Sequence, residues 1–114
     1  MTINDANNLL KDFVKEHDLK QRAIISCKTP LSNCINDNPN ELRGYSLDEI
    51  CLKFIKHELI FEQVENLFPF IRTRIGLFDS KENDIYHLNH KSIGYYDFDV
   101  DINGKYIDDW LIID

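Results

Sequence analysis

Six aspartates crowd the last twenty residues of this chain, YYDFDVDINGKYIDDWLIID, at positions 97, 99, 101, 108, 109 and 114, with Lys105 as the only base. Carboxylates this dense can chelate a cation, share a proton for acid–base work, or attract a positively charged surface. Tyr95, Tyr106 and Trp110 stand among them. The segment carries five of the chain's seven net negative charges, whereas the other 94 residues hold 14 acids against 12 bases. The acidity is a local feature, and the alignment of the strands decides which chemistry it serves.

Asn103-Gly104 suits a two-residue hairpin turn, whose central residues take positive φ. With that turn, Val100 faces Ile107, Phe98 faces Asp109 and Tyr96 faces Leu111, which forms a mostly apolar side for the core. The other side sets Asp101 beside Tyr106, Asp99 beside Asp108, Asp97 beside Trp110 and Tyr95 beside Ile112. Asp109 falls on the core side, so a bulge near Asp108-Asp109 is expected to turn it outward. Asp99 against Asp108 places like charges on neighbouring strands, a destabilising pair unless a cation or basic surface lies over it. Aspartate is also a poor strand former, so its accumulation on one face runs against propensity. A plain solvated strand face that blunts a sheet edge is the competing explanation.

Asp99-x-Asp101-x-Asn103-Gly104 matches the opening of an EF-hand loop, but Trp110 stands where the closing bidentate carboxylate belongs. No metal or cofactor is therefore expected. Asp99 and Asp108 as an acid–base pair would lack a desolvating pocket on an open face. His87-x-x-His90 lacks the glutamate of a metalloprotease helix, and His17 and His57 lie on or beside helix faces. Cys27, Cys34 and Cys51 are odd in number without C-x-x-C spacing, as expected for inert thiols in a reducing compartment. No phosphate-binding glycine loop or nucleophile elbow occurs. The residues point away from an enzyme and towards a binding face, with Asp97, Asp99, Asp101, Asp108 and Asp109 for charge and Tyr95, Tyr106 and Trp110 as anchors.

Stepping outward along the chain, 114 residues suit one domain, residues 1–114. Ile3, Ala6, Leu10, Phe13, Val14 and His17 recur at helical spacing behind a Thr2/Asp5 capping box, which predicts a helix over residues 3–17. The run AIISC reads as a short strand or the end of a helical hairpin. The Asn- and Pro-bearing stretch 29–45 reads as a loop. Ser46 and Glu49 form a second capping box, and Leu47, Ile50, Cys51, Phe54, Ile55 and Leu59 predict a second helix. Its character continues through Val64 and Leu67 to Phe68, where Pro69 ends it. Ile71, Thr73, Ile75 and Leu77 alternate with Arg72, Arg74 and Gly76 as in a strand, and residues 85–90 read as another. The expected fold is α+β, with two or three N-terminal helices on one face of a small antiparallel sheet that ends in the C-terminal hairpin.

A net charge of −7 argues against direct nucleic-acid binding. No apolar run is long enough for a membrane span, and the N-terminus lacks the pattern of a secretory signal, so a cytoplasmic protein is expected. In size, acidity and the segment GYYDFDVDINGKYIDDWLIID, the chain resembles bacterial toxin-neutralising immunity proteins, those of contact-dependent growth inhibition systems in particular. The resemblance implies an antitoxin-like inhibitor that binds a cognate toxin domain, often a nuclease, and blocks its active site or an adjacent surface. A row of carboxylates facing such a basic site would imitate phosphates. Changing Asp99 and Asp108 together to Asn is then expected to slow association and flatten its salt dependence. Two alternatives remain: binding through residues 29–45 or the Arg72/Arg74 strand, and a small ligand-binding or enzymatic domain with a pocket lined by Tyr86, Tyr95 and Tyr96.

Overall fold

The computed structural model describes residues 2–61, 68–80 and 92–114. Two helices, α1 (Ile3–Glu16) and α2 (Leu19–Asp37), precede a one-turn 3-10 helix (Leu47–Glu49) and strands β1 (Ile50–Ile60), β2 (Phe70–Asp79), β3 (Ser92–Asp101) and β4 (Tyr106–Ile113). The strands form one antiparallel sheet in the order β1-β2-β3-β4, and the helices pack against it, an α+β architecture. Among the described residues no helix is long and apolar enough to cross a membrane.

α1 begins as expected: the Asp5 amide donates to Thr2 Oγ1, and the Thr2 amide donates to Asp5 Oδ2. It ends at His17, and Asp18 takes a left-handed conformation (φ 49°) that turns the chain into α2. α2 corrects two expectations. AIISC lies inside it, and it continues through Pro30 to Asp37, so only the later part of 29–45 is loop. An interior proline costs a helix about 3 kcal/mol. Here Leu19, Ala23, Cys27 and Leu31, spaced four apart, are all buried against the sheet, and that packing outweighs the local cost.

The second predicted helix is a strand. The Ser46/Glu49 capping box is present, but it closes only the 3-10 turn. β1 then pairs along its length with β2, with a register shift between Phe54 and Lys56. Before this bulge Leu52 and Phe54 pair with Leu77 and Ile75, and after it His57 and Leu59 pair with Thr73 and Ile71. The extra residue changes the parity of the strand, so its apolar positions fall at spacings that imitate a helix. The expected continuation through Val64 and Leu67, and the strand at 85–90 with Tyr86, His87 and His90, lie outside the described residues.

The core lies between α2 and the inner face of the sheet, with Ile71, Ile75 and Leu77 of β2 and Tyr96, Phe98 and Val100 of β3 beneath the helix. Adjacent residues on a strand point to opposite faces. Tyr95 and Tyr96 therefore do not line a shared pocket: Tyr96 is buried in the core and Tyr95 is on the outer face.

Candidate functional site

The hairpin register holds from Asp99 backwards. Asp99 pairs with Asp108, Phe98 with Asp109, Asp97 with Trp110, Tyr96 with Leu111 and Tyr95 with Ile112. Nearer the turn it differs, because Val100 pairs with Tyr106 and Ile107 is the extra residue. The loop is also longer than two residues. The Gly104 amide donates to the Asp101 carbonyl at 3.0 Å, Gly104 has φ 80°, and the Asp101 amide donates to the Lys105 carbonyl at 2.8 Å. This is a type I turn followed by a glycine bulge. Asp101 Oδ1 stabilises it by accepting from the amides of Asn103 (2.8 Å) and Lys105 (3.0 Å). Arg22 of α2 donates to the Gly104 carbonyl at 2.9 Å, which ties the turn to the helices.

The bulge at Ile107 separates the eight predicted residues. Tyr106 is turned to the helix side, where its ring lies 5.8 Å from that of Phe98. Asp109 also stays on that side: the expected bulge beside it lies earlier in the strand. Its carboxylate accepts from Tyr96 Oη at 2.6 Å and from Tyr106 Oη. Tyr95, Asp97, Asp99, Asp108 and Trp110 share the outer face. Asp101 folds into the turn.

On that outer face the aspartates meet cations of their own chain. β2 pairs with β3 so that Arg72 faces Asp99 and Arg74 faces Asp97. Both contacts are bidentate: Arg72 Nε and Nη2 reach Asp99 at 3.0 and 3.1 Å, and Arg74 Nε and Nη2 reach Asp97 at 2.8 and 2.9 Å. Arg72 Nε also lies 3.7 Å from Asp97. Asp97 and Asp99 are only 1% and 3% exposed, although no described helix lies on this face. Aromatic rings help enclose the row. The Trp110 ring centroid is 4.5 Å from Arg72 Cζ, and that of Tyr95 is 3.8 Å from Arg74 Cζ. Guanidinium on an aromatic face is attractive, more so when desolvated. Glu58 extends the first row as the β1 neighbour of Arg72, and Asp108 ends it on β4.

Burial pushes the Asp99 carboxyl above its ordinary value against the pull of Arg72, and Asp97 and Asp108 add to the rise. Burial opposes the charge on Arg72, but Asp99 and Asp97 outweigh it and raise that pKa. Asp97 and Asp99 thus do not form a free anionic row. In the Asp99–Asp108 pair, Asp99 is met by a cation of the chain itself, Arg72. The EF-hand-like spacing presents carboxylates already engaged, Asp99 by Arg72 and Asp101 by its turn. Arg72-x-Arg74 and Asp97-x-Asp99 have the same period-two spacing with opposite charge, a match that points to adjacent strands with these faces together.

The Asp109 cluster on the inner side makes the fold sensitive to alkali. Its hydrogen bond holds the Tyr106 phenol up at about 12, burial followed by Asp109 raises Tyr96, and burial pushes the Cys27 thiol up to about 12. All three are acids favoured in their protonated form by folding. Their contribution is fully present below pH about 8, where the unfolded groups stay protonated, and is lost as pH rises towards about 12. Urea midpoints measured across this range should fall, and Tyr106→Phe should flatten the fall. A midpoint equally flat in both proteins would contradict the assignment.

The other candidates are accounted for by packing. The His17 ring lies 4.4 Å from that of Phe13, and His57 Nδ1 lies 2.9 Å from Thr73 Oγ1, with burial lowering its pKa. Cys27 is buried, and Cys34 and Cys51 are partly exposed free thiols. Against known proteins, the chain matches no family model and has no significant similarity to a curated protein or a solved structure.

Proposed function

We propose that this chain is an immunity-type inhibitor that binds a cognate basic toxin domain in the cytoplasm, and that Trp110 and Tyr95 on the outer sheet face anchor the contact. The observation that supports this reading is the bidentate Arg72/Arg74–Asp97/Asp99 row held beneath those two rings. Tyrosine, tryptophan and arginine predominate at interface hot spots, and anchors already held in place lose little freedom on binding. The buried aspartates serve the partner indirectly, by fixing the arginines that carry the rings. Asp108, exposed at the end of the row, and the net charge of −7 steer a basic surface towards it. A nuclease domain suits this role because its own substrate is polyanionic.

The experiment is growth of cells expressing the toxic domain encoded beside this chain's gene, with and without the chain. Growth should be restored by the native protein. Trp110→Ala should weaken binding by about 2 kcal/mol, roughly thirtyfold, while Asp108→Asn mainly slows association and flattens its salt dependence. A neighbouring product that is not toxic, or toxicity that the chain leaves unchanged, would contradict the reading.

A further inference from the structure

A groove of about 320 Å³ lies on the helix side of the sheet, away from Trp110 and Tyr95, and its walls include Leu9, Leu10 and Phe13 of α1, Leu59 and Phe61 at the end of β1, and Ile102 of the hairpin turn. The side chains that line it are all apolar. Leu9 and Phe61 are 56% and 71% exposed, and no residue of α1 is fully buried. α1 rests on the core through Leu10, Phe13 and Val14, whereas its first two turns project with Ile3 and Leu9 exposed. A helix of this length gains most of its stability by covering its apolar face, and among the described residues much of that face has no partner.

Charge along the groove's rim identifies the partner. Asp5, Leu9, Asp12 and Glu16 follow one another at helical spacing as a single stripe, and Asp5, Asn8 and Asp12 line a shallow depression that shares Leu9 with the groove. Lys11 and Lys15 lie off that stripe. A second copy of this chain, related by a twofold axis, would bring two such acidic stripes together and be repelled. A lining without polar side chains cannot satisfy a bare peptide backbone, which an extended segment would bury. A helix satisfies its own backbone and presents apolar side chains at i, i+3, i+4 and i+7.

We infer that the groove between α1 and the end of β1 is a docking site for a basic amphipathic helix of a partner protein, distinct from the outer-face site and independent of it.

The test uses a fluorescein-labelled helical peptide of about fifteen residues, with leucines at those four spacings and lysines elsewhere, read by fluorescence anisotropy. A scrambled peptide of the same composition and a version with Lys replaced by Gln serve as controls. The ordered basic peptide should bind best. Leu9→Ser with Phe61→Ser should weaken it by about tenfold or more, since both side chains are exposed and their loss spares the fold. Asp12→Asn with Glu16→Gln should weaken it severalfold and flatten its salt dependence, and Trp110→Ala should leave it unchanged. Equal binding of ordered and scrambled peptides, or an unaffected Leu9/Phe61 variant, would overturn the inference. So would a dimer of the chain that dissociates when Leu9 and Phe61 are replaced. None of these results bears on toxin binding through Trp110, so the two sites can fail separately.

Discussion

Replacing Asp97 with alanine is expected to cost about 3 kcal/mol of folding stability, a large effect for one residue of a hairpin. Its carboxylate holds Arg74 by two hydrogen bonds and lies 3.7 Å from Arg72, in a position 1% exposed. Once it is gone, the Arg74 guanidinium remains partly enclosed beneath Tyr95 without its hydrogen-bonded carboxylate, and Arg72 keeps its hydrogen bonds to Asp99. Removing one member of a buried pair costs more than the pair contributes, because the remaining charge stays desolvated. Replacing both, as Arg74→Met with Asp97→Leu, should therefore recover most of the loss. Urea denaturation checks this: the midpoint should drop in the single variant and return in the double, with an unchanged slope. A loss under about 1 kcal/mol in the single variant would mean that the pair behaves as an ordinary solvent-screened surface bridge.

Gly94→Ala is the second large effect, and it arises from space alone. A β-carbon at Gly94 would lie 2.1 Å from the Ile112 carbonyl oxygen and 3.0 Å from Ile113 Cα. Both are backbone atoms of the paired strand, so no side-chain rotation relieves the clash, and β4 must move away from β3. The expected cost is about 3 kcal/mol, at the upper end of overpacking. β4 carries Trp110 and Asp108, so the substitution should also loosen the ring over Arg72. Near-ultraviolet circular dichroism should lose much of its tryptophan signal in this variant at temperatures where it is still folded. Native stability with an unchanged spectrum would show that the strands separate at little cost.

The parts legible in the sequence are those specified by neighbouring residues. Thr2 and Asp5 mark the start of α1 because a capping box is complete within four residues. Asn103-Gly104 marks the turn because Gly104 must take positive φ, and the pairing from Asp99 back to Tyr95 follows from alternation. Beyond these, features that depend on distant contacts override local pattern. In β1 a bulge beside Ile55 changes the strand's parity, so an interrupted period of two resembles a helical stripe. In α2, Pro30 and the asparagines that follow signal a loop, yet burial of Cys27 and Leu31 carries the helix past Pro30, Asn33 and Asn36 to Asp37. The second hairpin bulge, at Ile107, sends Tyr106 and Asp109 to the inner side and removes them from the acidic face.

The candidate site has the same history. Six aspartates in one segment look like an unsatisfied charge when the segment is read alone. The cations that meet Asp99 and Asp97, Arg72 and Arg74, stand 27 and 23 residues earlier, joined to them by the β2–β3 register and not by sequence proximity. The charge pattern located the strand pair that carries Tyr95 and Trp110 on its outer face, but of the five carboxylates it assigned to binding four are engaged within the chain: Asp97 and Asp99 by arginines, Asp101 by its turn and Asp109 by tyrosine hydroxyls. The face that results is less anionic than the composition suggests, and the exposed aspartate on it is Asp108.

The binding role proposed for that face rests on Trp110, the only tryptophan of the chain. Labelled with fluorotryptophan, the protein should give a single fluorine NMR resonance that reports the environment over Arg72. Titration with the product of the neighbouring gene, the proposed toxin domain, should shift that resonance into a bound position and protect it from a soluble paramagnetic quencher. Saturable binding that leaves the Trp110 resonance unshifted and equally open to the quencher would contradict the account.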